Sequence, residues 1–272
     1  MPELPEVETI ARTLRNGIKD IPGIVGKTIT GADVYWPKTV AEPDWQEFRP
    51  RILGQKILEI SRRAKYLVLK LDNDMLLIHL RMSGDLLVGA AGEQLADHVR
   101  LSLELDHEWQ LAFNNPRKFG RVWLMENPDT LFDNLGPEPF DPSLTPDLFW
   151  KRLQGRKRQI KPLLMDQGFI AGLGNIYVDE ALYLSKIHPQ KPANQIESNQ
   201  ASQLLSDIRS VLSEGIRRNG ASIDWVYRGG DFQNFFHVYQ KTGEPCSTCG
   251  TPIDRIVVGQ RGTHLCPVCQ VI

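Results

Sequence analysis

Residues 6–14 place Val7, Ile10, Ala11 and Leu14 three and four positions apart, the spacing of one apolar helical face. Pro5 lies near the first turn and Glu6 and Glu8 follow, as the positive end of a helix favours. The pattern then changes period. Short apolar or alternating runs at 56–60, 66–71, 75–80, 99–105, 110–113 and 121–125 read as strands, separated by turn signals such as Asp72-Asn73-Asp74 and Ser83-Gly84-Asp85. That many short strands predict a β-sandwich or a barrel-like domain. Pro137, Pro139, Pro142 and Pro146, with Gly136, mark 134–146 as a linker. Beyond it the period is helical over 147–153, 160–166, 174–185 and 198–219, with Thr145 and Ser198 as expected caps. The expected division is therefore a β domain over 1–133, a linker over 134–146, a helical domain over 147–238 and a small module over 239–272.

A chain of 272 residues has room for two cores, and 41% hydrophobic with 24% charged residues is the balance of a globular protein. No apolar run reaches the ~20 residues that span a bilayer, and no secretory leader is visible, so a cytoplasmic location without membrane contact is expected. The net charge of −1 does not itself suggest nucleic acid, but its distribution does. Arg51, Lys56, Arg62, Arg63 and Lys65 crowd one stretch, and Lys151, Arg152, Arg156, Lys157, Arg158 and Lys161 another. Either cluster alone is explained by a solvated face. Together they fit basic patches on a neutral molecule.

All four cysteines lie at the C-terminal end as Cys246-x2-Cys249 and Cys266-x2-Cys269, with sixteen residues between the pairs. Two such knuckles place four thiolates around one tetrahedral Zn²⁺, and four sulfurs leave no position for a catalytic water. The metal is thus expected to be structural. Residues 253–258 and 263–265 predict a hairpin whose tip, Gly259-Gln260-Arg261-Gly262, projects Arg261 toward a phosphate. Gly172 and Gly174 precede a helix start at Asn175, another place where backbone N–H groups meet phosphate. The Met82-Ser83-Gly84 corner and the Asn114–Gly120 loop, with Arg117 and Phe119, display apolar side chains beside arginines, as filling the space of an extruded base requires.

The N-terminus carries the sharpest chemistry. Loss of Met1 would expose Pro2 as a secondary amine followed at once by Glu3. An α-amino group titrates near pH ~8, far below a lysine, so much more of it is free base at neutral pH. Such an amine can attack an aldehyde-like carbon and form an iminium, with a neighbouring carboxylate moving protons. A capped helix start accounts for the same residues without catalysis.

Taken together, PELPEVET at 2–9, SRRAKYL at 61–67, HLRMSG at 79–84, NNPRKFG at 114–120, GLGNIYVDEAL at 172–182 and the cysteine module resemble the bacterial formamidopyrimidine-DNA glycosylase family, in the family's order over essentially the whole chain. The resemblance implies an α+β multidomain fold: an N-terminal β-sandwich with an N-terminal helix, then a helix–two-turns–helix domain and a four-cysteine zinc-finger β-hairpin. It implies a monomer acting on damaged double-stranded DNA in base excision repair, as a glycosylase and abasic-site lyase for oxidised purines. By the same resemblance Pro2 is the nucleophile, Glu3 the proton donor and Glu6 the sugar contact. Lys65 and Arg261 serve phosphate binding and elimination. Met82, Arg117 and Phe119 enter the base stack, and His79, His98, Arg156, Lys161, Asn175 and Tyr239 contact DNA. The stretch 219–235 corresponds to a lesion-capping loop and is a few residues short. An endonuclease VIII-like enzyme for oxidised pyrimidines shares the N-terminal chemistry, but Leu4, Arg117 and Phe119 favour the purine branch. A non-catalytic zinc-containing DNA-binding protein would keep the cysteines and has no need of Pro2.

Overall fold

The computed structural model describes residues 1–222 and 229–272. It divides into two compact units, one of Met1–Asp133 with Ala221–Gly230, the other of Asn134–Gly220 with Asp231–Ile272.

In the first unit, helix α1 (Leu4–Asn16) buries Val7, Ile10, Ala11 and Leu14, the face its spacing predicts, and Leu4 one turn earlier. Strands β1 (Ile29–Val34) and β2 (Val40–Glu42), helix α2 (Trp45–Ile52), then β3 (Glu59–Arg63), β4 (Tyr66–Lys70), β5 (Met75–His79), β6 (Asp85–Ala90), β7 (Val99–Leu105), β8 (Trp109–Asn114) and β9 (Arg121–Met125) follow, closed by the short helix α3 (Asp129–Phe132). They form a four-stranded sheet in the order β1-β7-β8-β6 and a five-stranded sheet in the order β2-β9-β5-β4-β3. One core unites α1 with both sheets through Ile60, Leu67, Leu69, Leu76, Ile78, Leu101, Leu103, Leu111 and Phe113. The alternate residues Val68, Leu77 and Met125 form a second cluster with Trp123, Leu131 and Phe132. The five-stranded sheet is therefore apolar on both faces, which is why β4 and β5 read as continuous apolar runs. The sequence pattern misses β1, β2, β6 and α2. Gly31 interrupts β1, and α2 carries Pro50 inside; its cap is Asp44, whose carboxylate accepts from Gln46 N at 2.9 Å.

The second unit contains α4 (Pro146–Gln154), α5 (Ile160–Leu164), α6 (Asn175–Leu184), α7 (Ser198–Arg217) and the hairpin of β10 (Asp254–Val258) and β11 (Arg261–Leu265). Thr145 caps α4, accepting from Leu148 N at 3.2 Å. Ser198 is not a cap: Glu197 holds that position in a reciprocal box with Gln200. Nor is 134–146 a free linker. Gly136 N donates to Gln167 O, Ala171 N to Pro137 O, and the Arg209 guanidinium to Pro139 O and Leu144 O, so the proline-rich stretch is packed onto the helices. By its contacts the cysteine module groups with the helical unit.

Candidate nucleic-acid interface and N-terminal site

Pro2, Glu3 and Glu6 are all buried at the start of α1. Glu3 is the N-cap, and the carboxylates of Glu3 and Glu6 bond reciprocally to each other's backbone N–H; Glu3 N donates to Glu6 Oε2 at 2.8 Å. The other oxygen of Glu6, Oε1, accepts from Ala221 N at 2.8 Å. The helix reading and the chemical reading therefore describe one object. The cap fixes the backbone beside Pro2 and spends Glu6 on holding Glu3 and the chain at Ala221.

Lys65 follows Ala64, whose φ of 53° makes the tight turn between β3 and β4. It is 5% exposed, and its charge acts on His79 at the end of β5. Burial above all, then the charges of Arg81 and Lys65, lowers the His79 pKa from 6.5 to about 3. His79 Nδ1 accepts from Arg81 N at 3.0 Å, leaving its proton on Nε2. His79 is thus a neutral hydrogen-bond donor.

Met82 and Phe119 are exposed large apolar side chains, 39% and 49% accessible. Gly84 and Gly120 both lie against the Phe113 ring, where a Cβ would come to 2.9 Å and 2.4 Å of it. The Met82 corner and the Phe119 loop thus rest on the same buried aromatic. The exposed Arg117 stacks over Phe119 at 5.2 Å. His98 is exposed, and its carbonyl accepts from Asn115 N at 2.8 Å, at the base of this loop.

In the second unit, Gly172 adopts φ 100° ahead of α6, and Asn175 opens that helix. Asn175 Nδ2 donates to Gly262 O at 3.1 Å, tying the helix start to the hairpin. Lys161, expected to touch the DNA backbone, is instead fully buried, and its ammonium donates to Asp179 Oδ1 at 2.6 Å and Gly262 O at 3.2 Å. An ammonium so enclosed holds the hairpin against α6. Asp179 Oδ2 accepts from His264 N at 2.9 Å, while Glu180 accepts from the backbone N–H groups of His237, Val238 and Tyr239. The sequence reading missed these two acids, although adjacent carboxylates in an otherwise apolar helix are the signal for buried acceptors. Tyr239 is half-buried beside His264, with ring centroids 5.0 Å apart.

Arg261 is exposed, but it is the first residue of β11, paired with Val258. The turn is Gly259-Gln260, with φ of 56° and 63°, as a two-residue hairpin loop of the primed type demands. The basic clusters thin out on inspection. Arg51 pairs with Asp74, Arg62 with Glu8 at 3.0 Å and Arg158 with Asp166 at 3.1 Å, whereas Lys151, Arg156 and Lys157 are exposed. Residues 223–228, within the stretch read as a capping loop, lie outside the described residues.

The Sγ atoms of Cys246, Cys249, Cys266 and Cys269 all lie within 4.8 Å of one another, with 3.9 Å between Cys246 and Cys269 and 3.4 Å between Cys249 and Cys266. A tetrahedron of Zn–S bonds has edges of about 3.8 Å, so the four sulfurs fit one structural zinc ion. Among the described residues no helix is long and apolar enough to cross a membrane.

Three family models match in succession: the formamidopyrimidine-DNA glycosylase N-terminal domain over residues 1–122, the formamidopyrimidine-DNA glycosylase H2TH domain over 135–226, and the zinc finger found in FPG and IleRS over 243–271. Together they define a zinc-finger DNA glycosylase architecture. The formamidopyrimidine-DNA glycosylase of Chloroflexus aurantiacus is 47% identical, covering 100% of this chain and 98% of that protein; the Bacillus cereus protein of the same name is 40% identical over 99% of each. The crystal structure of Lactococcus lactis Fpg (MutM) with N7-benzyl-Fapy-dG DNA superposes with a TM-score of 0.92 at 38% identity over 99% of both chains. MutM in complex with carbocyclic 8-oxo-G DNA gives 0.91 at 39% identity, again over 99% of both chains. The chain belongs to the formamidopyrimidine-DNA glycosylase family.

Proposed function

We propose that this protein removes oxidised purines, 8-oxoguanine and formamidopyrimidines, from duplex DNA and then cuts the strand at the abasic site. The observation that carries the reading is the α1 start, where Pro2 adjoins a capping box that fixes the Glu3 and Glu6 carboxylates. Full-length likeness to family members crystallised with lesion-bearing DNA supports the substrate class.

Removal of Met1 frees the Pro2 nitrogen; while Met1 is attached that nitrogen is an amide, neither basic nor nucleophilic. Phosphate contacts by Lys65, His79, Asn175, Tyr239 and Arg261 seat the duplex, with Arg156 and His98 at its margins. Met82 and Phe119 fill the stack, and Arg117 pairs with the widowed base while the lesion is extruded. The Pro2 amine attacks C1′ and the C1′–N9 bond breaks, the base leaving with a proton delivered through Glu3. The amine gives up its own proton, and the C1′–O4′ bond then breaks as Glu3 protonates O4′, opening the sugar to an iminium that acidifies C2′–H. Loss of that proton expels the 3′ phosphate, and loss of the C4′ proton expels the 5′ phosphate, with Lys65 and Arg261 holding the departing groups. Zinc takes no part in these steps, its coordination sphere being filled by sulfur.

Borohydride trapping on an 8-oxoguanine:cytosine duplex tests the reading, with the N-terminus checked by mass spectrometry. Chain lacking Met1 should give a covalent adduct and Pro2→Gly far less. Binding without any adduct overturns the enzyme, and preferential cutting of a dihydrouracil duplex overturns the purine assignment.

A further inference from the structure

The loop that carries Arg117 and Phe119 contains a third side chain that points elsewhere. Lys118 has φ 59°, a left-handed conformation uncommon for a residue bearing a Cβ, which reverses the chain within the loop. The reversal leaves Arg117 and Phe119 stacked on each other at 5.2 Å and sends the Lys118 ammonium to 4.3 Å from the centroid of the Trp36 ring. Trp36 is itself pinned: its N–H donates to Arg100 O at 3.2 Å, and its carbonyl accepts from Thr39 N at 2.8 Å. Arg100 Nε donates to Asn115 O at 3.2 Å, and the same carbonyl accepts from Lys118 N at 3.1 Å. The contacts close a ring from Trp36 through Arg100 and Asn115 to Lys118 and back to Trp36.

We infer that Trp36 is a positioning residue for the base-stack wedge, latching the loop through Lys118. The inference rests on the proposed function, because the loop has a wedge to position only if DNA is the substrate. Arg121 Nη1 also donates to Lys118 O at 3.0 Å and Gly120 O at 2.8 Å, so losing the latch loosens the loop without releasing it, and Phe119 spends less time in the orientation that enters the stack. Lys118, although cationic and beside Arg117, is spent on an aromatic face instead of a phosphate.

Stopped-flow fluorescence of 2-aminopurine next to an 8-oxoguanine reads the unstacking step, alongside single-turnover excision. Trp36→Leu should slow both by roughly two- to fivefold, the loss expected for a partly exposed cation–π contact. Trp36→Phe and Lys118→Arg should retain most of the rate, since each keeps a cation over a ring. Lys118→Met should match Trp36→Leu, and the double variant should be no slower than either single one. The salt slope of DNA binding should be unchanged in all of them. The inference is overturned if Trp36→Leu unstacks and excises like an active wild type. It is equally overturned if Lys118→Met reduces the salt slope by about one, which marks a phosphate contact. A wild type that neither unstacks nor excises condemns the proposed function instead.

Discussion

His79 illustrates how a residue type legible in the sequence acquires a different character from its surroundings. The HLRMSG segment places it at the end of β5, but its charge state depends on burial, on Arg81 two residues on and on Lys65 from the β3–β4 turn. Only the folded sheet brings Lys65 near, so the sequence could not reveal a neutral imidazole. The unfolded chain takes up a proton near pH 6.5 and the native state only near pH 3. The unfolded state therefore binds more protons in that window, and stability falls as pH drops through it. His79→Gln keeps an amide in place of the imidazole and removes the titration. Urea unfolding from pH 7 to pH 3 should show a shallower acid limb in the variant. In DNA binding the same substitution should leave the salt slope unchanged, because a neutral Nε2–H donor releases no counterion, whereas Lys65→Met should lower it by about one. An unaltered acid limb in His79→Gln would show that protonation of this imidazole carries no weight in stability.

At the scale of elements, α6 organises the second unit. Its Asp179 and Glu180 carboxylates, buried side by side, bind β11 and the 237–239 segment respectively, so the helix sets the places of Arg261 and Tyr239. Helix periodicity located α6, and the paired cysteines located the hairpin. The bond between them was invisible, because Lys161 reads as one more cation in a basic run and only burial distinguishes it. Removing one partner of a buried ion pair strands the other without solvent. Lys161→Met should therefore destabilise the protein by about 3 kcal/mol or more in chemical denaturation. Adding Asp179→Asn, which keeps an acceptor for His264 N but discards the charge, should recover much of the loss. Zinc content should not change in either variant, since the cysteine sulfurs stay in place. A Lys161→Met protein as stable as wild type would mean that the ammonium contributes nothing net to docking the hairpin.

For the molecule as a whole, a net charge of −1 sits oddly with a polyanionic partner until the cations are followed individually. Arg51, Arg62, Arg158 and Lys161 are taken up by carboxylates of their own unit, whereas Lys151, Arg156, Lys157 and Arg261 are among the cations left exposed. Sandwich, helical unit and zinc hairpin were all legible, because strand alternation, helical period and cysteine spacing are local signals. The unit boundary was less so: proline and glycine mark the 134–146 stretch as irregular, but cannot say that Arg209 packs it against α7's unit. Zinc is a second anchor for the strand that bears Arg261, beside the bonds from α6 and from Lys161. β11 ends at Leu265, immediately before Cys266, so the metal anchors the strand directly. A two-stranded hairpin is marginal alone in water, and zinc adds to the bonds that Asn175 and Asp179 of α6 and Lys161 of α5 make to it. Cys266→Ser, or zinc withdrawal by a chelator, should weaken binding to lesion DNA and flatten its salt dependence, because the proposed contact of Arg261 with a phosphate is lost. Fluorescence anisotropy at several salt concentrations, paired with a zinc assay, measures both effects. The β-rich first unit, which contains none of the ligands, should keep its unfolding transition. Undiminished affinity in protein proven free of zinc would rule out the metal as what holds Arg261 in position.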